Sequence, residues 1–220
     1  MIPFKHVLRI LQLRRLLGAE GGHEESAAFY NAHLDDPAAT RPHTYAQSHY
    51  YFLWSIIVDR LRRDGLSRVL EIGCGPGYLA AFLFDQGIRE YVGLDFSTSA
   101  LRFARRAVPG ARFIEGDART TTIYTHYAHD VVICTEVLEH IEADLVVMRR
   151  FPPGKRCLCS VPNFPYEGHV RHFRDAVDVV VRYGQFFESL DVMTLDSPRG
   201  YGDRFFLFDG IRNASGSLTE

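Results

Sequence analysis

Residues 69–82 read VLEIGCGPGYLAAF. An apolar, strand-forming run ends in three glycines at alternate positions and then resumes as a helix former, the pattern of a strand, a tight turn and a helix. Gly73, Gly75 and Gly77 lack the side chains that would keep a ligand from the backbone. The helix that follows would point unpaired N–H groups at whatever sits over the turn. Outward from this point, RVLEI (68–72) is followed by YVGLD (91–95), ARFIEGD (111–117), HDVVICT (129–135) and RCLCSVP (156–162), all short and rich in strand formers. Helical stretches separate several of them: YLAAFLFDQG, closed by Gly87, and STSALRFARRAV, opened by a capping Ser97 or Thr98. Such alternation predicts parallel βαβ units in an open α/β sheet covered by helices on both faces. A helix near 174–184 and two last strands, around LDVMTL and RFFLFDG, predict an antiparallel pair at one edge, joined by the long loop PRGYGD.

Before the glycine turn, YAQSHYYFLWSIIVDRLRR (45–63) places Tyr50, Trp54, Ile57 and Leu61 on one face of a helix ending near Asp64-Gly65. AAFYNAHLDDPAATRPH (27–43) reads as a short helix and a loop. Residues 5–17, KHVLRILQLRRLL, carry Val7, Leu8, Leu11 and Leu17 at helical spacing among Lys5, Arg9, Arg14 and Arg15. This basic helix is expected to pack on its own domain, with a dimer contact or a membrane surface as the alternatives. The expected organisation is a helical cap segment over 1–64, a ligand-binding core over 65–212 and a tail over 213–220.

The totals exclude some functions. A net charge of -2 and a pI near 6.5 give no general attraction to nucleic acid or anionic lipid. Cys74, Cys134, Cys157 and Cys159 lack zinc-ribbon spacing, so reduced thiols and a cytoplasmic setting are expected. No run approaches the ~18 apolar residues of a membrane span, and the N-terminus does not have the pattern of a signal peptide.

Ligands of open α/β sheets bind at the carboxyl ends of the strands. A dinucleotide fingerprint fails here, because its third glycine would fall on Tyr78, and the G-K-[ST] of a P-loop is absent. What remains is E-x-G-x-G-x-G, beginning at Glu71. VLEIGCGPGY resembles the first motif of class I S-adenosylmethionine-dependent methyltransferases. GLDFS (93–97), EGDA (115–118) and DVVICTEVLEHI (130–141) follow in that family's order. The resemblance covers about 68–210. It implies a Rossmann-like fold with a seven-stranded, mostly parallel sheet carrying an antiparallel edge strand, helices on both faces and an N-terminal helical cap. It also implies S-adenosyl-L-methionine as cofactor, S-adenosyl-L-homocysteine as product and a small-molecule acceptor.

Residue by residue, the resemblance assigns Glu71, Gly73, Gly75 and Gly77 to the cofactor turn. Asp95 falls to the ribose hydroxyls, Phe96 to the adenine face, Asp117 with Ala118 to the adenine edge, and Glu136 to the methionine half. Plainer roles stand beside these: close helix packing for Gly77, a helix cap for Asp95, core packing for Phe96.

Methyl transfer from a sulfonium is an in-line displacement that needs a lone pair on the acceptor. A general base, a metal, or desolvation of an amine can supply it. Glu136, Glu139 and His140 have spacings of 3 and 4, which would gather them on one side of a helix after the fourth strand. E-x-x-E-H resembles the metal site of ubiquinone-pathway O-methyltransferases and of small-RNA 2′-O-methyltransferases, with His169 or His172 as a further ligand. On that reading Mg²⁺ or Zn²⁺ would sit among Glu136, Glu139, His140 and His169. The same E-V-L-E-H is similar to many methyltransferases without a metal, and there His140, His169 and His172 are candidates for the base. Tyr45, His49, Tyr51 and Asn163 are expected to shape the acceptor pocket. The leading expectation is O-methylation. Methylation of an amine, or a silent scaffold that keeps the fold, are the alternatives, and an RNA substrate is disfavoured by the charge balance.

Overall fold

The computed structural model describes residues 22–38, 44–198, 200 and 202–214. The basic stretch 5–17, with its dimer and membrane readings, lies outside them. Seven strands form one sheet: β1 (Arg68–Ile72), β2 (Glu90–Asp95), β3 (Arg112–Glu115), β4 (Val131–Thr135), β5 (Arg156–Pro162), β6 (Phe187–Asp196) and β7 (Arg204–Arg212). Their order is β3-β2-β1-β4-β5-β7-β6. β1 to β5 pair in parallel, and β7 runs antiparallel to both neighbours, so the β6/β7 pair closes one edge. Strand order reverses beside β1, which places a crevice at the carboxyl ends of β1 and β4.

Side chains alternate across the strands and fill two layers. On one face Val69, Val131, Ile133 and Leu158 meet Leu53, Ile57 and Leu61 of helix α2, which follows a short helix α1 (α1, Ala27–Asp35; α2, Tyr51–Arg63). α3 (Tyr78–Asp85) and α4 (Thr98–Ala107) complete this layer through Leu79, Leu83 and Leu101. On the other face Leu70, Ile72, Val132 and Cys134 meet Met148 of α6 (Asp144–Arg150) and Val179 and Tyr183 of α7 (Ala176–Tyr183), with a short α5 (Ile123–His126) nearby. Burial on both faces is what the near-continuous apolar runs of the parallel strands require. The four cysteines are free and buried. Among the described residues no helix is long and apolar enough to cross a membrane.

α1 is built differently. None of its residues is buried, and it rests on α4 through polar contacts. Asn31 Oδ1 accepts from Ser97 Oγ at 2.8 Å and from Ser99 N at 3.1 Å, while Asp35 accepts from Ser99 Oγ at 2.8 Å and pairs with Arg102. These bonds fix α1 beside the crevice without adding it to the core.

Candidate active site

The glycine turn is anchored on the end of β2. Gly73 N and Cys74 N both donate to Leu94 O, at 2.8 and 3.0 Å. Asp95 Oδ2 accepts from Gly75 N and Oδ1 from Ser97 N, each at 2.8 Å. All three glycines have positive φ, at 73°, 51° and 83°, a region side chains avoid. Their surroundings separate them. A Cβ on Gly73 would lie 2.2 Å from Val137 Cγ2, and one on Gly77 would lie 3.0 Å from the Cα of Ala104 in α4. A Cβ on Gly75 would meet nothing within 4 Å. Gly73 and Gly77 therefore serve packing, while Gly75 leaves space open.

That space is a cavity of about 300 Å³. Gly73, Gly75, Asp95, Phe96, Asp117 and Ala118 line it together with Glu136, Val137, His140 and Ile141, while Glu139 and His169 do not. Burial raises the Asp95 carboxyl above its ordinary range, and the backbone N–H groups of Ser97 and Gly75 oppose that shift. Asp117 does not stand alone. Arg119 Nε lies 3.0 Å from both its oxygens and Arg119 also bonds Glu24 at 2.8 Å, which holds the Asp117 carboxyl below the usual carboxylate range.

Glu71 lies beneath the turn and not in the cavity lining; it is buried and bonded to the Tyr91 hydroxyl. Burial pushes its pKa up to about 8 from an ordinary 4.5. A raised carboxyl stabilises the fold below its unfolded pKa, and that contribution is lost as pH rises through the folded value. Glu71→Gln should therefore flatten part of the fall in stability between pH 4.5 and 8, by roughly 5 kcal/mol at pH 9; melting curves across that range would check it.

The acceptor-side residues expected before β1 take other places. Tyr45 bonds Asp85 at 2.8 Å and stacks on Phe82, Tyr51 also packs on Phe82, and His49 packs on Tyr50. None of the three lines the cavity. Asn163 accepts from Arg204 N at 2.6 Å and donates to Gly202 O at 3.1 Å, tying β5 to the loop before β7. The N-terminal contribution to the cavity comes instead from Tyr30, His33 and Leu34 of α1 and from Glu24 and Glu25 before it. Glu24 reaches across the mouth, accepting from Glu142 N at 2.8 Å as well as pairing with Arg119. The spacing of Tyr30, His33 and Leu34 puts them on one helix face, a signal present in the sequence. Nothing in the sequence said what that face covers.

After β4 the chain does not enter the α-helix expected there. Leu138–His140 form a single 3₁₀ turn, and α6 begins only at Asp144. Arg171 imposes this: its guanidinium donates to the carbonyls of Leu138, Ile141 and Glu142, while Val170 N donates to Glu139 O at 2.8 Å. Those carbonyls would otherwise have to find helical partners. The turn brings Glu139, His140 and His169 together, with one ligand atom from each within 4.8 Å of the others. Glu136 and His172 are outside that group.

Glu139 is fully buried, and neither carboxylate oxygen receives a hydrogen bond from another described residue. Burial, then Glu136, drives its pKa well above the ordinary range. His140 Nδ1 lies 2.9 Å from Gly168 O and 3.0 Å from the Tyr30 hydroxyl. A carbonyl only accepts, so Nδ1 carries the proton and Nε2, 3.8 Å from Glu139 Oε1, keeps its lone pair. His169 is arranged alike, with Nδ1 3.1 Å from Phe164 O. Burial and His169 lower the His140 pKa to about 4, and burial lowers that of His169, so both rings are neutral at neutral pH. Two neutral imidazoles oriented by backbone carbonyls around a buried carboxylate form a donor set suited to a divalent cation.

A family model described as a methyltransferase domain matches residues 69–151, from the glycine turn through α6. By that match, residues 69–151 form a methyltransferase domain. Among curated relatives, the trans-aconitate 2-methyltransferase of Enterobacter sp. is 41% identical over 64 residues, 29% of this chain and 25% of that protein. The ubiquinone biosynthesis O-methyltransferase of Aliivibrio fischeri is 34% identical over 86 residues, 37% of this chain and 36% of that one. The chain thus spans about a quarter to a third of the length of these relatives. In fold, it is similar to the N-methyltransferase NodS of Bradyrhizobium japonicum, solved with S-adenosyl-L-homocysteine, at a TM-score of 0.64 and 14% identity over 86% of this chain and 98% of that one. The methyltransferase-domain match contains the Asp95 and Glu136–His140 sides of the cavity; Tyr30 and His169 lie outside it.

Proposed function

We propose that this chain transfers a methyl group from S-adenosyl-L-methionine to a hydroxyl of a small molecule, assisted by a divalent cation at Glu139, His140 and His169. One observation carries the reading: the cavity lined by Gly75 and Asp95, suited to a nucleoside, is also lined by His140, whose Nε2 lies 3.8 Å from the buried carboxylate of Glu139 outside the lining. The residues fit the cofactor. Each Asp95 oxygen accepts one backbone N–H, leaving lone pairs for two ribose hydroxyls. Phe96, 36% exposed, offers a ring face, and Glu136 lies where the amino-acid half would end. A near-neutral chain suits a small acceptor over an RNA.

The methyl passes in line from the sulfonium sulfur to the acceptor oxygen, S-adenosyl-L-homocysteine leaves, and the hydroxyl proton must go elsewhere. The cation, Mg²⁺ or Zn²⁺, would lower the hydroxyl pKa and orient the oxygen; two nitrogens and one carboxylate suit Zn²⁺ better. His140 and His169 present their Nε2 lone pairs, and Tyr30, held on α1, screens His140 from water. Formation of S-adenosyl-L-homocysteine with a panel of hydroxylated acceptors tests the reading: chelation with EDTA should abolish it and Zn²⁺ or Mg²⁺ restore it. Turnover that survives thorough chelation removes the cation, and no calorimetric heat with S-adenosyl-L-methionine removes the enzyme. His169→Ala should lower turnover about 100-fold, the scale of a lost ligand or base, while His172→Ala should stay within about threefold.

A further inference from the structure

Glu136 is the described residue with positive φ that is not a glycine, at 55°. Left-handed backbone costs a side-chain-bearing residue about 1 kcal/mol or more and persists only where neighbours enforce it. Ser160 on β5 is that neighbour. It is the register partner of Thr135, the last residue of β4, across the sheet, and it is fully buried. Its carbonyl accepts from Glu136 N at 3.2 Å, and its hydroxyl donates to Glu136 Oε1 at 2.7 Å. One residue therefore fixes both the backbone and the carboxylate of Glu136.

The other acids of the cavity already have strong partners. Asp95 holds two backbone N–H groups, Asp117 and Glu24 share Arg119, and Glu25 lies 2.8 Å from the exposed His23 ring. Glu136 has one neutral hydroxyl on one oxygen. A half-buried carboxylate so placed, lining a cavity, gains most from a cationic ligand group that brings its own N–H donors.

We propose that Ser160 is a positioning residue that presents the Glu136 carboxylate to the α-ammonium of the cofactor's amino-acid half. The proposal rests on the reading of the cavity as an S-adenosyl-L-methionine site. It makes Ser160, a core strand residue outside every motif, a determinant of selectivity for cofactors that carry the amino acid.

Two probes separate this role from a structural one: S-adenosyl-L-homocysteine, and 5′-methylthioadenosine, which keeps the nucleoside and sulfur but lacks the amino acid. In calorimetric titrations Ser160→Ala should weaken S-adenosyl-L-homocysteine about tenfold, the effect of one charge-assisted hydrogen bond, and leave 5′-methylthioadenosine within about twofold. Glu136→Gly, whose backbone suits the observed φ, should weaken the first probe at least as much and spare the second. In the Glu136→Gly background, Ser160→Ala should then add nothing, since the coupled pair is already broken. Equal losses for both probes, no loss for either, or additive losses in the double variant would overturn the proposal. A wild-type protein that binds 5′-methylthioadenosine but not S-adenosyl-L-homocysteine overturns it while keeping the nucleoside site; one that binds neither overturns the cavity reading as well.

Discussion

Gly75→Val should reduce the affinity for S-adenosyl-L-homocysteine at least 100-fold while the protein still melts cooperatively. The space over Gly75 is empty for 4 Å around an added Cβ, so the fold has nothing to collide with there. A branched side chain would instead stand in the cavity and forfeit the ligand's approach to the backbone. Holding valine at φ 51° costs about 1–3 kcal/mol, a fraction of a typical domain's stability. The neighbouring glycines should behave in the opposite way. Gly77→Ala would press a methyl to 3.0 Å from the Cα and Cβ of Ala104, and backbone cannot swing aside as a side chain can. α3 and α4 would have to separate, at about 2–4 kcal/mol including the strained φ of 83°. Gly73→Ala would collide with Val137, which itself lines the cavity, so it should lose both stability and affinity. Melting curves and S-adenosyl-L-homocysteine titrations on the three variants would check this division. If Gly75→Val binds as the wild type does, the cofactor sits elsewhere.

The motif that resembles the family treats those three glycines alike, and only their neighbours tell them apart. This marks where reading the sequence succeeds. The strands from Arg68 to Pro162 stand within a residue or two of the apolar runs, because burial on both faces leaves a continuous local signal. Gly87 and Ser97 flank helices where their chemistry predicts. Long-range partners leave no such trace. Glu136, Glu139 and His140 carry helical spacing, yet Arg171, some thirty positions on, captures the carbonyls a helix would need. Tyr45 and Tyr51 look like pocket aromatics in composition, but Phe82 takes them. Tyr30 reaches the cavity because Asn31 and Asp35 bind the serines at the start of α4, a pairing no local pattern encodes. Ser160 was invisible for the same reason: its meaning is its place beside Glu136 across the sheet.

Glu139→Gln should stabilise the cation-free protein and abolish its stabilisation by a divalent cation, two effects of opposite sign from one substitution. The wild-type carboxylate is fully buried, and its oxygens receive no hydrogen bond from another described residue. Its own backbone N–H and the distant Arg171 offset little of the desolvation. Replacing it by a neutral isostere removes about 1–3 kcal/mol of unfavourable burial, which for a chain of this size raises Tm by roughly 3–10 °C. The pH dependence fixes the cause. A carboxyl whose folded pKa lies well above its unfolded value contributes favourably only below the unfolded value, and its contribution falls as pH rises. The Tm gap between variant and wild type should therefore be small near pH 4 and widen toward alkaline pH. With Zn²⁺ at about 100 times its Kd the wild type should gain near 2.7 kcal/mol, because the cation binds only the folded site. The variant, lacking the anionic ligand, should gain far less, and the order of the two melting curves should reverse. A variant less stable than the wild type at pH 8 without a cation would mean that the carboxylate already has a partner, and the reason for placing a cation there would be gone.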